Sequence, residues 1–184
     1  MVFAIPPGKC LALDESTEGF HRVLGHAYLL KRDYAKAIFH GKRSVELNPN
    51  SELSATMYEW TLRSTARYDE AINEYERAMR LNLKDIQWPL TQLGTTYVMM
   101  RRHEEAIEAC RKSLELRPTD LAAWITLVMA YSSLDRMDEA RAAGSEVLKL
   151  SPNFSVEHFA KAMPYKNEAD REFMADAMRK AGMK

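Results

Sequence analysis

The residues that most often carry catalysis or bind metals are few in this chain of 184 residues. The five histidines are His21, His26, His40, His103 and His158, and the two cysteines are Cys10 and Cys110. Metal-binding pairs on a helix are commonly four residues apart, so that both ligands share one face. His21 and His26 are five residues apart. We therefore predict no metal site and no cofactor, and we assign the histidines to the surface or to a groove.

Sequence motifs of nucleotide-binding and hydrolytic enzymes are also missing. Gly8-Lys9-Cys10 lacks the upstream glycine and the following Ser or Thr of a phosphate-binding loop. The chain contains neither a G-x-S-x-G nucleophile elbow nor an H-E-x-x-H zinc motif. Acidic pairs such as Glu104-Glu105 fall where helices are expected to begin, and there they complement the helix dipole. The sequence thus predicts no catalytic residues and a protein that is not an enzyme.

Charge and composition limit the classes of partner. The chain has 26 Lys and Arg residues against 26 Asp and Glu residues, so it has no net charge. Such a chain has no general attraction for nucleic acid or anionic lipid. No apolar run approaches the roughly 18 residues that a membrane-spanning helix needs. Two isolated cysteines indicate a reducing compartment. We expect neither nucleic acid nor a membrane as partner, and a cytoplasmic location.

A sequence repeat organises most of the chain. The alanines Ala37, Ala71, Ala106 and Ala140 are separated by 34, 35 and 34 residues. The same spacing relates further columns, namely Leu24, Tyr58, Leu93 and Leu127; Leu47, Leu81, Leu116 and Leu150; Tyr28, Leu62, Tyr97 and Tyr131; and Pro49, Leu83, Pro118 and Pro152. A period of this length is typical of repeat proteins, in which each unit is one supersecondary element stacked on its neighbours.

Each repeat unit is predicted to be an antiparallel pair of helices. In the third unit, apolar periodicity covers 87–100 and 103–116, which leaves only Arg101-Arg102 as the connection. The proline that closes most units ends the second helix, because proline lacks an N–H and clashes with the preceding turn. The alanine column, with Gly25 and Gly94 on first helices, is expected to let the paired helices approach closely. One hairpin cannot bury its apolar face alone, so neighbouring hairpins must share a core.

This pattern resembles the tetratricopeptide repeat (TPR). The third unit carries Leu90, Leu93-Gly94, Tyr97, Ala106 and Pro118, and the fourth carries Trp124, Leu127, Tyr131, Ala140 and Pro152. The resemblance implies an all-α fold, a right-handed α-solenoid of four TPR hairpins with a C-terminal capping helix. The repeats are placed at 18–51, 52–86, 87–120 and 121–154. Residues 1–17 are interpreted as a partial repeat or N-terminal segment, and residues 155–184 as an additional helix and the capping helix.

The second repeat departs most from the pattern. Glu59 stands where a small residue is expected, so either the first helix of that repeat is displaced or the carboxylate reaches a neighbouring polar group. At the N-terminus, residues 10–14 imitate the end of a second helix, which suggests a capping half-repeat or a longer protein upstream. At the other end, residues 153–163 are predicted to form a helix closed by Pro164, followed by an amphipathic helix over 167–181.

The C-terminal residues resemble a narrower family. Pro164-Tyr165-Lys166, Ala169-Asp170-Arg171 and Met178-Arg179-Lys180-Ala181-Gly182 are similar to the C-termini of bacterial proteins that join a class III adenylate/guanylate cyclase domain to a TPR array. The segments Leu13-Asp14-Glu15-Ser16 and His21-Arg22-Val23-Leu24-Gly25-His26 resemble the same arrays. The chain has no room for a cyclase domain beside the repeats, so this resemblance implies a regulatory or assembly role and no cyclase activity.

In a TPR array the first helices line a concave groove, and the resemblance therefore implies where a partner binds. The candidate groove residues are Arg22, His26, Leu53, Thr56, Trp60, Arg63, Trp88, Thr91, Thr95, Ile125, Met129 and Ser132. The Lys and Asn residues with which some TPR domains clamp a terminal carboxylate are absent from these slots. Trp60, Trp88 and Met129 are expected to anchor apolar side chains of a partner. For each tryptophan, packing inside the superhelix or against the C-terminal helix is an equal alternative.

The groove also contains residues that can carry positive charge. Arg22, His26 and Arg63 are expected to orient an acidic residue of the partner, whereas Trp124 is expected to be core. The first hypothesis is a non-catalytic protein-interaction scaffold that binds a peptide or helix in the groove. The alternative is a regulatory or dimerising segment of a bacterial cyclase-type signalling protein, whose groove holds an intramolecular partner or a second copy.

Overall fold

A computed structural model describes residues 16–81 and 87–184, apart from the side chains of Leu81, Gln87 and Trp88. Within these residues all regular structure is helical, and ten helices follow one another. They are α1 (Glu18–Leu30), α2 (Tyr34–Leu47), α3 (Glu52–Ser64), α4 (Tyr68–Leu81), α5 (Gln87–Met99), α6 (His103–Leu116), α7 (Leu121–Ser133), α8 (Met137–Leu150), α9 (Val156–Ala162) and α10 (Glu168–Lys180). The predicted half-repeat that includes Cys10 lies outside the described residues.

The first eight helices form an α-solenoid of stacked hairpins. Within the hairpins α1 packs on α2, α3 on α4, α5 on α6 and α7 on α8; between hairpins α2 packs on α3, α4 on α5 and α6 on α7. Polar side chains fix several helix starts, as where Ser51 accepts a hydrogen bond from the Ser54 N–H at 3.2 Å. The periodicity predicted helices over 87–100 and 103–116, and the structure has α5 and α6 there, with one residue fewer in α5.

The turn inside each hairpin has the same unusual backbone conformation. A residue with positive φ recurs at Arg32, Ala66, Arg101 and Asp135, with φ between 59° and 64°. At the third turn the N–H of Arg102 donates to the carbonyl of Tyr97 at 2.9 Å, which closes the last turn of α5. The other three turns repeat this hydrogen bond. Because L residues rarely adopt this conformation, its recurrence marks the hairpin connection as a fixed geometric feature of the repeat.

Small residues allow the close helix approach that the sequence predicts. The alanines of the repeat column, Ala37, Ala71, Ala106 and Ala140, are all fully buried. A Cβ atom added to Gly25 would lie 3.1 Å from the backbone nitrogen of Gly41, and one added to Gly94 would lie 2.5 Å from Sγ of Cys110. A side chain at either glycine would therefore push paired helices apart. Cys110 is a buried free thiol in this packing.

Residues 155–184, which we call the C-terminal segment, fold back along the solenoid. α10 packs on α7 and buries Met174 and Met178, as the amphipathic pattern predicts for a capping helix. The backbone N–H of Lys166 donates to the carbonyl of Ser64 at 2.8 Å, so the loop between α9 and α10 reaches the end of α3. Lys180 Nζ donates to Asp135 Oδ1 at 2.6 Å at the other end of the segment.

The apolar core is continuous from the third hairpin to α10, and a smaller cluster surrounds Tyr58, Leu62 and Ala71. Trp124 packs at the edge of the main core, and its indole N–H donates to the carbonyl of Pro118 at 2.9 Å. The helices α6, α7 and α8 flank this tryptophan. None of the helices in the described ranges is long and apolar enough to cross a membrane.

Candidate functional site: a cavity on the concave face

A cavity of about 260 Å³ lies on the inner side of the solenoid. The first helices α3, α5 and α7 form one side of it, and the C-terminal segment forms the other. It is lined by Thr56, Met57, Glu59, Trp60, Arg63, Gln92, Thr95, Ala122, Ile125, Thr126, Met129, Phe159, Met163, Tyr165 and Met174. We call this space the concave cavity.

Most of the cavity wall is apolar. Ile125 and Met129 of α7 are buried, and Trp60 of α3 is half-buried. Phe159 and Met163 of the C-terminal segment also line the cavity. Methionine side chains are flexible and polarisable, so this wall can adapt to apolar groups of different shape. The wall is therefore suited to hold an uncharged side chain rather than an ion.

One end of the cavity carries a buried ion pair. Nε of Arg63 donates to Oε1 of Glu59 at 3.1 Å, within α3. The other two guanidinium nitrogens donate to the hydroxyl of Tyr165 at 2.7 Å and to Oε1 of Gln92 at 2.8 Å. Glu59 is 1% exposed and Arg63 is 5% exposed. Arg63 thus connects α3 with α5 and with the loop between α9 and α10.

Burial dominates the electrostatics of this pair. Burial raises the pKa of Glu59 to about 7, although the charge of Arg63 and the hydroxyl of Tyr75 act in the opposite direction. Oε2 of Glu59 and the hydroxyl of Tyr75 are both buried, and Tyr75 interacts with the carboxyl of Glu59. Glu59 is thus held between Arg63 of its own helix and Tyr75 of α4.

The loop that closes the cavity is fixed by its backbone as well as by its aromatic side chain. Tyr165 is completely buried. Its carbonyl accepts hydrogen bonds from the hydroxyl of Tyr34 at 3.2 Å and from Nη1 of Arg171. Nη2 of Arg32 donates to the carbonyl of Lys161 at 3.0 Å. The first hairpin therefore holds the C-terminal segment in place, although the two are far apart in the sequence.

The structure places half of the candidate groove residues around the concave cavity. They are Thr56, Trp60, Arg63, Thr95, Ile125 and Met129. Arg22 and His26 instead line a neighbouring cleft with Met57, which is common to both spaces. The ring of His26 contacts that of Trp60 with centroids 5.1 Å apart. Burial lowers the pKa of His26, so the neutral imidazole is favoured beside the tryptophan.

Three of the remaining candidate residues, Leu53, Thr91 and Ser132, do not line the cavity. Leu53 is 62% exposed. Thr91 is buried, and its hydroxyl donates to Oδ2 of Asp120 at 2.6 Å between hairpins. Ser132 is buried, and its carbonyl accepts from Nζ of Lys180 at 2.9 Å beneath α10. The side chain of Trp88 is outside the described residues. Thr91 and Ser132 therefore do not face an open groove as predicted, because neighbouring elements pack on those positions.

The expected role of Arg63 also needs correction. Sequence reasoning assigned its guanidinium to an acidic residue of a partner, but the guanidinium is buried and bonded to Glu59, Gln92 and Tyr165. Arg22 likewise has an internal partner, since its Nε lies 3.3 Å from Oε1 of Glu18. The expectation for Glu59 was one of two alternatives, and the structure shows the carboxylate contacting a neighbouring polar group.

Sequence reasoning missed the part of the site that the C-terminal segment supplies. Phe159, Met163, Tyr165 and Met174 all line the cavity, yet none belongs to the repeat slots. The only local signal is an aromatic residue directly after Pro164, in a segment otherwise rich in charge. A buried aromatic next to a helix-ending proline is compatible with docking, but the sequence does not indicate onto which helix it docks.

The described residues contain no group of three or more His, Cys, Asp or Glu side chains placed to bind a metal ion. His21 contacts His40 of the neighbouring helix, and the Nδ1 atoms of the two rings are 2.8 Å apart. This contact is outside the concave cavity. The candidate site is an apolar cavity, and the two charged side chains at its end, Arg63 and Glu59, are paired with each other.

Comparison with known proteins identifies the class to which this architecture belongs. Tetratricopeptide repeat family models match residues 23–51, 60–85, 89–120 and 121–154, which together make up more than half of the chain. The chain belongs to the tetratricopeptide repeat family. TPR proteins are protein-interaction scaffolds that bind protein or peptide partners, and nothing in this family assignment points to catalysis.

Individual relatives agree with this class. The chain is 29% identical over 134 residues to the mouse protein N-alpha-acetyltransferase 16, NatA auxiliary subunit, covering 71% of this chain and 15% of the relative. The chain thus spans a small part of that curated relative. Among solved structures, PilW, a type IV pilus biogenesis factor, superposes with a TM-score of 0.71 at 16% identity, covering 91% of this chain and 76% of PilW.

A further solved structure is YrrB, described as a TPR protein with an unusual peptide-binding site. It superposes with a TM-score of 0.57 at 18% identity, and the match covers 91% of this chain and 86% of YrrB. At these identities the two structural matches establish the solenoid fold alone. The resemblance of the C-terminal residues to cyclase-linked arrays stays a prediction.

Proposed function

We propose that this protein is a non-catalytic scaffold that binds a peptide or helix of a partner protein on its concave face. In this proposal an apolar side chain of the partner enters the concave cavity. The observation that carries it is the cavity itself, whose wall is formed largely by Met57, Trp60, Ile125, Met129 and Phe159. The site lies on the face where TPR proteins are expected to receive their partners.

Physical reasoning supports an apolar anchor over a charged one. Full burial of a Leu- or Phe-sized side chain contributes about 1.5–3 kcal/mol. A charged side chain would lose its hydration on entry, and Arg63 already has Glu59 as its counter-ion at 3.1 Å. Binding through one or two buried anchors with a weakly contributing rim is the usual distribution of energy in protein interfaces.

The relatives also support a role in binding other proteins. The mouse relative is an auxiliary subunit, and YrrB is described as having a peptide-binding site. The present chain would bind differently from an open TPR groove, because its C-terminal segment occupies part of the concave face. We therefore propose that the partner presents a short anchor to the cavity, with Arg22 and His26 in the adjoining cleft contacting residues that flank it.

A random-peptide library displayed on phage tests this function and does not require the natural partner to be identified. Peptides selected on the wild-type chain are measured against Trp60→Ala and against Trp124→Ala. Trp60 lines the cavity, whereas Trp124 lies in the groove between α6, α7 and α8. We expect selected peptides to lose at least about tenfold in affinity with Trp60→Ala and to retain affinity with Trp124→Ala. Equal losses in both variants, with both folded by circular dichroism, contradict the proposal.

The alternative function is a regulatory or dimerising segment of a cyclase-type signalling protein. What supports it is the similarity of the residues around Tyr165 and Lys180 to the ends of such arrays. If the concave face binds a second copy, light scattering will show a dimer that Trp60→Ala dissociates. A monomer at all accessible concentrations contradicts self-association through this face.

We further propose a cytoplasmic location. The supporting features are two cysteines 100 residues apart in the sequence and the burial of the Cys110 thiol. Reduced, isolated thiols are typical of reducing compartments. A fluorescent fusion to the chain, expressed in its source cell, tests this directly, and a signal confined to an extracytoplasmic fraction would contradict it.

A further inference from the structure

We propose that a cleft between the first hairpin turn and the C-terminal segment is a binding site for a phosphate group. We call it the basic cleft, and its charged lining residues are Arg32, Lys161, Glu168, Arg171, Glu172 and Arg179. No residue of its lining also lines the concave cavity. The inference therefore goes beyond the proposed function, and either of the two can fail without the other.

The basic cleft joins two parts of the chain that are far apart in the sequence. Arg32 belongs to the turn between α1 and α2, Lys161 lies in α9, and the other charged lining residues lie in α10. Nη2 of Arg32 donates to the carbonyl of Lys161 at 3.0 Å, so the turn lies directly against α9. The volume of the cleft is about 310 Å³, which is enough for a phosphate group and part of the molecule that carries it.

Cationic side chains outnumber carboxylates in this lining by four to two. Arg171 lies 3.9 Å from Glu168, and Arg179 lies 3.2 Å from Asp176, which is outside the lining. Within the described part of the chain, no other ion pair involves the cations of the basic cleft. The positive charge stays in excess even when Asp176 is counted. A cleft with an excess of one charge sign attracts ligands of the opposite sign.

Two of the guanidinium groups are oriented by backbone carbonyls, which do not cancel their charge. Arg32 donates to the carbonyl of Lys161, and Nη1 of Arg171 donates to the carbonyl of Tyr165. The side chain of Arg171 is only 17% exposed, so its position is restricted. Each guanidinium has five N–H donors, and donors remain after these bonds are made. The cations are therefore held in place before a ligand arrives, which lowers the entropic cost of binding.

Charge and donor geometry favour phosphate over a carboxylate. A phosphate monoester carries about 1.5 to 2 negative charges near pH 7, whereas a carboxylate carries one. Where cations are in excess, the net attraction grows with the charge of the ligand. The planar fork of a guanidinium also matches two phosphate oxygens at once. Glu168 and Glu172 repel any anion, and this repulsion selects against weakly charged ligands.

Calorimetric titration with inorganic phosphate, at about pH 7.5 and constant ionic strength, tests the site. The first variant is Lys161→Gln, because this side chain forms no hydrogen bond or ion pair with the described residues and its loss should not disturb the fold. We expect phosphate affinity to fall about fivefold. The matched control is Lys149→Gln on α8, whose side chain is 69% exposed outside the cleft. The control should stay within about twofold of the wild type.

A second variant should increase the affinity, which misfolding cannot imitate. Glu172 lines the cleft and has no ion-pair partner among the described residues. Its replacement by glutamine removes a repulsive charge, so we expect phosphate to bind about fivefold more tightly to Glu172→Gln. Glu157→Gln is the control, because Glu157 is exposed on α9 and outside the lining. It should change the affinity by less than about twofold.

A short peptide with one phosphoserine distinguishes the two sources of the phosphate group. Tighter binding of this peptide than of inorganic phosphate points to a phosphorylated partner protein, and equal affinities point to a free phosphate; both results support the site. Trp60→Ala should leave phosphate binding unchanged, since Trp60 lies in the concave cavity. The absence of phosphate binding, an unchanged affinity in Lys161→Gln, or no gain in Glu172→Gln overturns the inference.

Discussion

The guanidinium of Arg63 donates a hydrogen bond of 2.7 Å to the hydroxyl of Tyr165, a residue 102 positions later in the sequence. Both residues are buried. This bond fastens the loop between α9 and α10 onto the first helix of the second repeat. Because both partners line the concave cavity, the same contact that stabilises the C-terminal segment also defines the shape of the candidate site.

Removal of the Tyr165 hydroxyl tests the stabilising part of this contact. Tyr165→Phe leaves one N–H of the buried Arg63 guanidinium without its acceptor, so we expect a loss of about 1–3 kcal/mol in the free energy of unfolding. Tyr34→Phe is the matched control, because the Tyr34 hydroxyl is only partly buried and the carbonyl that it contacts has a second donor in Arg171. Urea unfolding measures both. A Tyr165→Phe loss no larger than that of Tyr34→Phe would contradict the account of this network.

The Glu59 carboxyl predicts a specific pH dependence of stability. Burial raises its pKa from 4.5 to about 7 in the folded chain. Between these values the folded state keeps a proton that the unfolded state has released, so stability falls as the pH rises. The stabilising contribution is complete below pH 4.5 and is lost as the pH passes 7.

Comparison of the wild type with Glu59→Gln isolates this contribution, since other titrating groups are common to both. We expect the wild type to lose stability relative to Glu59→Gln between pH 4.5 and 7, by on the order of 3 kcal/mol. Chemical unfolding at a series of pH values measures the difference. A constant difference across that range would show that the carboxyl titrates normally.

Close packing at Gly94 can be tested with a compensating pair of substitutions. A Cβ at Gly94 would lie 2.5 Å from Sγ of Cys110 and 3.2 Å from the carbonyl oxygen of Ala106. We expect Gly94→Ala to destabilise the chain by about 1–3 kcal/mol. Cys110→Ala removes the nearer of the two atoms, so Gly94→Ala should cost less in a Cys110→Ala background. A double-mutant cycle of thermal unfolding measures the coupling, and additive losses would contradict this packing.

The alanine column gives a related prediction for the hairpin interior. Ala106 is fully buried between paired helices, so Ala106→Leu should overpack the hairpin and destabilise it by about 1–3 kcal/mol. Ala35→Leu, at an exposed position of α2, should change stability by less than about 0.5 kcal/mol. Melting temperatures of the two variants check the difference. An unchanged melting temperature for Ala106→Leu would refute the proposed helix pairing.

The repeat architecture could be predicted from the sequence, because it depends on residues close together in the chain and on a pattern that recurs at a fixed spacing. Helix pairing follows from the spacing of Ala37, Ala71, Ala106 and Ala140, and the hairpin turns follow from the short connections. Each hairpin contacts mainly its neighbours in the chain. A pattern repeated at this period therefore contains most of the information that positions the first eight helices.

Only part of the candidate site could be predicted from the sequence. The positions of Trp60, Ile125 and Met129 follow from the repeat register, and the structure places them around one cavity. The contact of Tyr165 with Arg63 does not follow, because it depends on how far the solenoid curves over several repeats. Small differences in the angle between neighbouring hairpins add up over several repeats, and no single residue determines the total curvature. The same reason explains why Ser132 lies under α10 instead of in the groove.

The most direct test of partner binding at the concave cavity uses the methionine methyl groups as probes. Met57, Met129, Met163 and Met174 line the cavity, whereas Met79, Met100 and Met137 do not. Carbon-13 methyl spectra are recorded while a library-selected peptide is added. The account predicts that the first group of signals shifts with the binding curve and that the second does not. Shifts confined to Met79, Met100 and Met137, with saturation of the peptide complex, would contradict it.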